Sequence, residues 1–156
     1  MASPTLSIVD RLDLLELVHR YAHAVDSRNV HDLIGLFAAD AQLEFVSTGI
    51  IASGHTGIAE FFLRAFRTSA LSAASASTHL MTNTVAEPGS APGEATLHTS
   101  AIAYLATVGQ VVERGLTYTD KCARIDGSWL FVHRIHRLHW QATMPGGPVT
   151  AEAHPV

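Results

Sequence analysis

The sequence of residues 95–140 is ATLHTSAIAYLATVGQVVERGLTYTDKCARIDGSWLFVHRIHRLHW. It contains three strand-like runs, at residues 95–108, 111–125 and 129–140, which are separated by Gly109 and by the dipeptide Asp126-Gly127. Glycine at a chain reversal and an Asp-Gly pair between two apolar runs are typical of β-hairpins. The segment therefore predicts a meander of long antiparallel strands.

Further strands are predicted on the N-terminal side of this meander. Residues 78–87 predict another long strand, and the Pro- and Gly-rich residues 88–93 predict the turn that follows it. Residues 42–45 and 50–52 predict two short strands. Residues 68–77 are rich in Ser and Ala and predict a loop, although the alanines leave a helical turn open.

The first part of the chain carries a helical pattern. Apolar residues recur at spacings of three and four between residues 6 and 27, which predicts a helix with Ser7 and Asp10 at its start. Two more helices are predicted at residues 30–37 and 57–66. The predicted buried stripe of the first helix consists of Ile8, Leu12, Leu15, Val18, Ala22 and Val25.

Three helices followed by long strands predict an α+β fold, in which the helices pack on one face of a curved antiparallel sheet. The 156 residues fit a single domain, 1–156, with a core at about residues 6–142 and an irregular tail at residues 143–156. A curved sheet covered by helices leaves a concave interior, which is a natural site for a small molecule.

Composition and charge exclude several classes of function. The formal net charge is −4 with neutral histidines, which gives no reason to expect nucleic acid or an anionic membrane surface. No run approaches 18 apolar residues, so no membrane span is predicted. The single cysteine, Cys122, excludes an intrachain disulfide and suits the cytoplasm, and no signal peptide is evident. We therefore expect a cytoplasmic protein whose partner is a small molecule.

Several segments of the chain resemble SnoaL-like proteins of the nuclear transport factor 2-like superfamily. The resemblance covers about residues 6–142 and implies the cone, or cystatin-like α+β barrel, of that superfamily. It also implies a homo-oligomer, either a trimer or a dimer. The segments that carry it are residues 20–26 (RYAHAVD), 33–41 (LIGLFAADA), 54–58 (GHTGI), 78–83 (THLMTN), 118–121 (YTDK) and 124–131 (RIDGSWLF).

Within this superfamily the pattern is most similar to scytalone dehydratase, bile-acid dehydratase and hexachlorocyclohexane dehydrochlorinase. The resemblance places Asp26 and His79 at the Asp-His pair of these lyases, and Arg134 at an arginine of the dehydrochlorinase. Tyr21 replaces that enzyme's helix lysine and matches a tyrosine of ketosteroid isomerase. Phe45 stands where the isomerase has its Asp base and where scytalone dehydratase has a pocket tyrosine.

A pair formed by His79 and Asp26 would suit a β-elimination. Imidazole is a natural base near neutral pH, and a carboxylate on its far nitrogen fixes the tautomer and stabilises the cation. The residues alone leave structural alternatives open. Asp26 could cap the end of its helix or form an ion pair, and His79 could be a surface histidine or a hydrogen-bonded core histidine.

Strand alternation supplies further candidates. Arg134, His136, Leu138 and Trp140 share one face of the last predicted strand, and His133, Ile135, Arg137 and His139 share the other. Because His133, His136 and His139 lie on different faces and lack an acidic partner, no metal site is expected. Tyr118 and Asp120 share a strand face, where Tyr118 could bind a substrate oxygen and Asp120 could act as an acid or pair with Arg134. The residues predicted to line the binding site are Phe45, Phe62, Met81, Tyr104, Asp120, His136 and Trp140.

From these observations we predict that the protein is a cofactor-independent lyase, a dehydratase that acts on a cyclic, mostly apolar, oxygenated metabolite. His79 would serve as base and then as acid, with Asp26 orienting it. Tyr21, Tyr118 and Arg134 would polarise the substrate. Two alternatives stay open at this point: a non-catalytic ligand-binding or subunit-like domain, and a related isomerase or polyketide cyclase.

Overall fold

The computed structural model describes residues 5–68, 74 and 76–147. None of the helices within these residues is long and apolar enough to cross a membrane. The elements in chain order are α1 (Ile8–Asp26), α2 (Val30–Ile34), β1 (Phe37–Phe45), β2 (Ile50–Ser53), α3 (Gly54–Thr68), β3 (Ala76–Pro88), β4 (Glu94–Thr107), β5 (Gln110–Ile125) and β6 (Ser128–Pro145).

All six strands form one curved sheet in the order β2-β1-β6-β5-β4-β3. Strands β3 to β6 form the predicted antiparallel meander, whereas β1 pairs in parallel with β6. Helix α1 packs against β3 and β6, and α3 packs against β1 and β2. The predicted α+β class is confirmed, but β2 and β3 are edge strands, so the sheet is not a closed barrel.

Helix α1 begins as predicted, but its buried face differs at the N-terminal end. Ser7 and Asp10 form a capping box, with the Asp10 backbone nitrogen donating to Ser7 Oγ at 3.1 Å. Asp10 also accepts a hydrogen bond from the indole nitrogen of Trp129 on β6, so the face that holds Asp10 and Leu14 is turned toward the sheet. The predicted stripe was therefore wrong at Ile8 and Leu12, which lie on the opposite side and are 79% and 60% exposed.

The largest boundary error concerns the predicted second helix. Helix α2 ends at Ile34, and β1 begins at Phe37, inside the range predicted to be helical. Phe37 is buried and pairs in register with Phe131 of β6, whose backbone nitrogen donates to Leu36 O at 2.9 Å. Pairing with β6 overrides local helix propensity here, as tertiary contacts commonly do.

Other element ends also differ from the predictions. Helix α3 starts at Gly54 and continues to Thr68, and β3 already starts at Ala76, within the predicted loop. Strand β6 continues to Pro145, five residues beyond the predicted end at Trp140. Residues 69–73 and 75 of the predicted loop and the C-terminal residues 148–156 of the predicted tail lie outside the described residues.

The two faces of α1 give a matched stability test. Leu14 is fully buried against the core, whereas Leu12 of the same helix is 60% exposed. We expect Leu14→Ala to lower the free energy of unfolding by about 2–5 kcal/mol, because it removes buried methyl groups and leaves a cavity. Leu12→Ala should change it by less than about 0.5 kcal/mol. Urea denaturation measures both, and equal losses would contradict the assigned face of α1.

Candidate active site

A central cavity of about 410 Å³ lies between α1, α3 and the inner face of the sheet. Its walls are mostly apolar and include Val25, Phe61, Leu105, Leu116 and Leu138. This volume is in the range of small-molecule sites, which combine apolar walls with a few polar groups. The cavity is therefore the candidate ligand site.

Half of the predicted site residues line this cavity. They come from α1, β1, α3, β3, β5 and β6, which meet around it because the sheet curves over the helices. The six are Tyr21, Phe45, Phe62, His79, Tyr118 and His136. Asp26 is not in the lining, but it contacts His79 from behind.

Asp26 and His79 are brought together at the wall of the cavity. Asp26 is the last residue of α1, and its Oδ1 lies 2.6 Å from Nδ1 of His79 on β3. The same carboxylate accepts hydrogen bonds from the His79 backbone nitrogen and from Ser77 Oγ, both at 2.8 Å. Because three donors converge on one carboxylate, the orientation of the His79 ring is fixed.

The charge on Asp26 determines which nitrogen of His79 carries the proton. Burial pushes the pKa of the Asp26 carboxyl upward, but the hydrogen bonds and charge of His79, together with Ser77, outweigh it and leave this pKa below its usual range. An ionised carboxylate can only accept, so Nδ1 of His79 is the donor. Since the ring lines the cavity, Nε2 is the nitrogen available to a bound molecule.

Arg134 and Asp120 lie beneath the cavity wall and do not line it. Both are fully buried, and Nη1 of Arg134 is 3.4 Å from Oδ2 of Asp120 without the geometry of a hydrogen bond. The guanidinium carbon of Arg134 lies 3.9 Å from the ring centre of Tyr21 and 4.1 Å from that of Tyr118. Of the two roles that the sequence left open for Arg134, pairing with Asp120 is the one seen here, and neither residue is among those that line the cavity.

The tyrosines above this ion pair are hydrogen-bond donors. Burial raises the pKa of Tyr21 to about 12, although the charge of Arg134 acts in the opposite direction. Burial also raises the pKa of Tyr118. Both phenols therefore stay protonated at neutral pH, and a protonated hydroxyl can donate to a ligand oxygen.

Burial likewise raises the pKa of Asp120 to about 6, despite the opposing charge of Arg134.

Three predicted binding residues lie elsewhere. Tyr104 faces away from the cavity because its neighbours in β4 face inward, and its hydroxyl donates to Glu113 at 2.8 Å. Trp140 is shifted to the outer face by a bulge, where it pairs with Gly115 and is 47% exposed. A side chain at Gly115 would overlap the indole. Met81 packs against the hydrophobic core and is not among the residues that line the cavity.

The structure adds lining residues that sequence analysis missed. Arg114 alternates with Leu116 and Tyr118 along β5, so the same argument that selected Tyr118 could have found it. Ser47 and Thr48 follow β1, and Arg64 lies on α3. No pattern in the sequence pointed to these three. Within residues 5–68, 74 and 76–147, no group of three or more His, Cys, Asp or Glu is placed to hold a metal ion.

The buried position of His136 predicts how the free energy of unfolding depends on pH. Burial, assisted by the charge of Arg134, lowers the pKa of His136 from 6.5 to about 4. Between these values the unfolded chain binds more protons than the folded chain, so this group makes stability fall as the pH is lowered from about 6.5 to about 4. Relative to pH 8, the loss at pH 5 should be roughly 2 kcal/mol.

The matched variant for this test is His136→Phe, which keeps a ring against Phe45 and Tyr118. Urea denaturation at pH 8 and pH 5 should show a smaller loss for the variant than for the wild type. Asp120 contributes the opposite slope, because its pKa is raised, but it does so in both proteins and cancels in the difference. Identical pH dependence in the two proteins would show that His136 is not held neutral.

Solved structures of other proteins share this architecture. A type 2 hexachlorocyclohexane dehydrochlorinase superposes with a TM-score of 0.79 at 17% identity, covering 94% of this chain and 96% of that one. A scytalone dehydratase-like protein from Novosphingobium aromaticivorans gives 0.75 at 17%, covering 86% and 87%. A nuclear-transport-factor-2-like protein with a cystatin-like fold from the same organism gives 0.73 at 20%, covering 84% and 82%. At these identities the likeness shows the fold alone.

The family of this protein is shown by its match to the sequence profile of a known domain family. The model described as a SnoaL-like domain matches residues 7–135, which include all three helices and most of the sheet. No curated protein matches the chain. Because the match spans most of the chain and the fold agrees with it, the protein belongs to the SnoaL-like domain family.

Proposed function

We propose that the protein is a cofactor-independent lyase that removes water from a cyclic, mostly apolar, oxygenated metabolite. The observation that carries this proposal is the 2.6 Å contact between Asp26 and His79 at the wall of an apolar cavity. An imidazole held by a carboxylate and facing a ligand site is the arrangement that proton abstraction requires.

The elimination needs one base that later acts as an acid. Nε2 of His79 removes the proton from the carbon next to a carbonyl group, and the electron pair of that C–H bond moves into an enolate. The enolate then re-forms the carbonyl, a carbon–carbon double bond forms, and the hydroxyl on the β-carbon leaves. The imidazolium returns its proton to this hydroxyl, so that water is released and His79 is neutral again.

Asp26 is the positioning residue of this mechanism. Its carboxylate holds Nδ1–H, so the lone pair of Nε2 is on the side of the cavity. It also stabilises the imidazolium that forms when the proton is taken. The two further hydrogen bonds from β3 keep the carboxylate in place during the change of charge on His79.

Tyr21 and Tyr118 would stabilise the enolate oxygen. Both line the cavity and both stay protonated at neutral pH, so each can donate a hydrogen bond to an oxygen that becomes negative. Arg134 lies under the two rings and adds a positive charge there without touching the substrate. The walls around them are mostly apolar, and electrostatic interactions are stronger in apolar surroundings than in water.

The comparisons are consistent with an elimination but do not identify a substrate. One similar structure is named as a dehydrochlorinase and another as dehydratase-like. The two proton-transfer roles in the mechanism are filled by His79, so no cofactor is included in the proposal. The apolar walls are the reason for proposing a mostly apolar ring, and the tyrosines are the reason for proposing oxygen substituents on it.

The test is turnover by variants at the dyad. Purified protein is incubated with a panel of cyclic β-hydroxy ketones, and formation of the conjugated enone is followed by absorbance. We expect His79→Ala to reduce turnover by roughly a hundredfold or more, since it removes the base. Asp26→Asn should be similarly impaired, because an amide favours the wrong tautomer and cannot stabilise the cation. Ligand binding, measured by thermal shift, should be largely retained in both.

His139→Ala is the matched control. His139 is an exposed histidine of β6 that hydrogen-bonds Thr117 outside the cavity, so its loss should leave turnover unchanged. Near-normal turnover by His79→Ala would eliminate this mechanism. Binding of the panel compounds with no turnover in the wild type would favour the non-catalytic alternative, and a product with a shifted double bond would favour the isomerase.

A further inference from the structure

The charged residues around the central cavity are all of one sign. Arg114 of β5 and Arg64 of α3 line it, and no Asp or Glu is among the described residues that do so. Asp26 lies behind His79, and Asp120 lies behind the tyrosines, so neither carboxylate faces the cavity. A cavity whose charged lining residues are all cations attracts an anionic ligand.

The guanidinium of Arg114 is held by one hydrogen bond through Nε, which leaves the edge with its two terminal nitrogens for a ligand. Its Nε donates to Oε1 of Gln141, the residue directly opposite in β6, at 2.9 Å. Within residues 5–68, 74 and 76–147, the side-chain hydrogen bond of Arg114 is made through Nε, and its two terminal nitrogens have no hydrogen bond or carboxylate partner. These two nitrogens form the pair of parallel donors that binds both oxygens of a carboxylate.

The sheet register places this arginine close to the proposed base. His79 of β3 is directly opposite Ala103 of β4, which is directly opposite Arg114 of β5. All three line the cavity, and Ala103, which lies between the other two in the register, has the smallest side chain of the three. Since neighbouring strands are about 4.8 Å apart, the backbones of His79 and Arg114 are separated by roughly 10 Å.

We propose that the molecule bound in the central cavity carries a carboxylate, which Arg114 holds across Ala103 from His79. This inference rests on the proposed function for the reaction at His79 and narrows the substrate to a cyclic oxygenated carboxylic acid. A carboxylate fits better than a phosphate because the neighbouring side chains, Leu105 and Leu116, are apolar. Leu105 and Leu116 could not pair the additional charge and oxygen of a phosphate dianion beside Arg114. The other lining cation, Arg64, is on α3 and not on the strands beside Arg114.

The test is binding of three matched probes, 2-naphthoate, 2-naphthamide and 2-naphthyl phosphate, measured by isothermal titration calorimetry. The wild type should bind 2-naphthoate roughly tenfold or more tightly than the neutral amide, as expected for a charge-assisted pair of hydrogen bonds. Arg114→Gln should lose this preference by weakening only the acid. Arg114→Lys should be intermediate, because it keeps the charge but loses the fork.

Arg137→Gln is the control, since Arg137 contacts Thr119 on the opposite face of the sheet and should not alter the preference. Equal affinity of the wild type for acid and amide, or an unchanged preference in Arg114→Gln, would overturn the inference. Tighter binding of the phosphate than of the carboxylate would overturn the assignment to a carboxylic acid.

The same probes separate this inference from the proposed function. His79→Ala should keep the preference for 2-naphthoate, because anion binding does not require the base. Loss of turnover in His79→Ala with no acid preference in the wild type would contradict the carboxylate and leave the lyase intact. An Arg114-dependent preference for 2-naphthoate without any turnover would support the carboxylate and contradict the lyase.

Discussion

The Asp26 carboxylate joins the end of α1 to β3, and the arrangement of the site depends on this junction. It accepts from the His79 backbone, the His79 ring and Ser77, so a single residue fixes both the position of the helix end and the orientation of the imidazole. Helix α1 also supplies Tyr21 to the wall of the cavity. The spacing between base and hydrogen-bond donor therefore follows from how the helix is attached to the sheet.

The second constraint is the buried pair of Arg134 and Asp120. Removing two charged groups from water is costly, and this pair recovers little by hydrogen bonding to each other. Stacking of the guanidinium against Tyr21, Tyr118 and Phe131 offsets part of the cost. Under the proposed mechanism, the remaining cost has a function, because it keeps a fixed positive charge beneath the two groups that bind the enolate oxygen.

The parts of this arrangement that could be predicted are those set by local pattern. Hairpin turns predicted the meander, and alternation placed Tyr118 and Asp120 on one strand face. The pairing of Asp26 with His79 is not a local pattern and was predicted from the family resemblance. The sequence-based predictions failed where long-range contacts determine the secondary structure or the face on which a side chain lies. Phe37 is strand because β6 pairs with it, and a bulge that alternation cannot foresee moved Trp140 to the outer face. Strand alternation gives the face on which a side chain lies but not its depth, so the sequence could not decide whether Arg134 lines the cavity or pairs with Asp120 beneath it.

Under the proposed mechanism, His79 presents an unprotonated Nε2 to the cavity because Asp26 holds the proton on Nδ1. ¹⁵N nuclear magnetic resonance of the His79 ring, recorded above the pH range in which imidazoles ordinarily titrate, tests this, with His136→Phe used to remove the other histidine among the described lining residues. We expect a protonated Nδ1 and an unprotonated Nε2 in the wild type, with the tautomer shifting in Asp26→Asn. A proton on Nε2 in the wild type, or a tautomer that does not respond to Asp26→Asn, would contradict it.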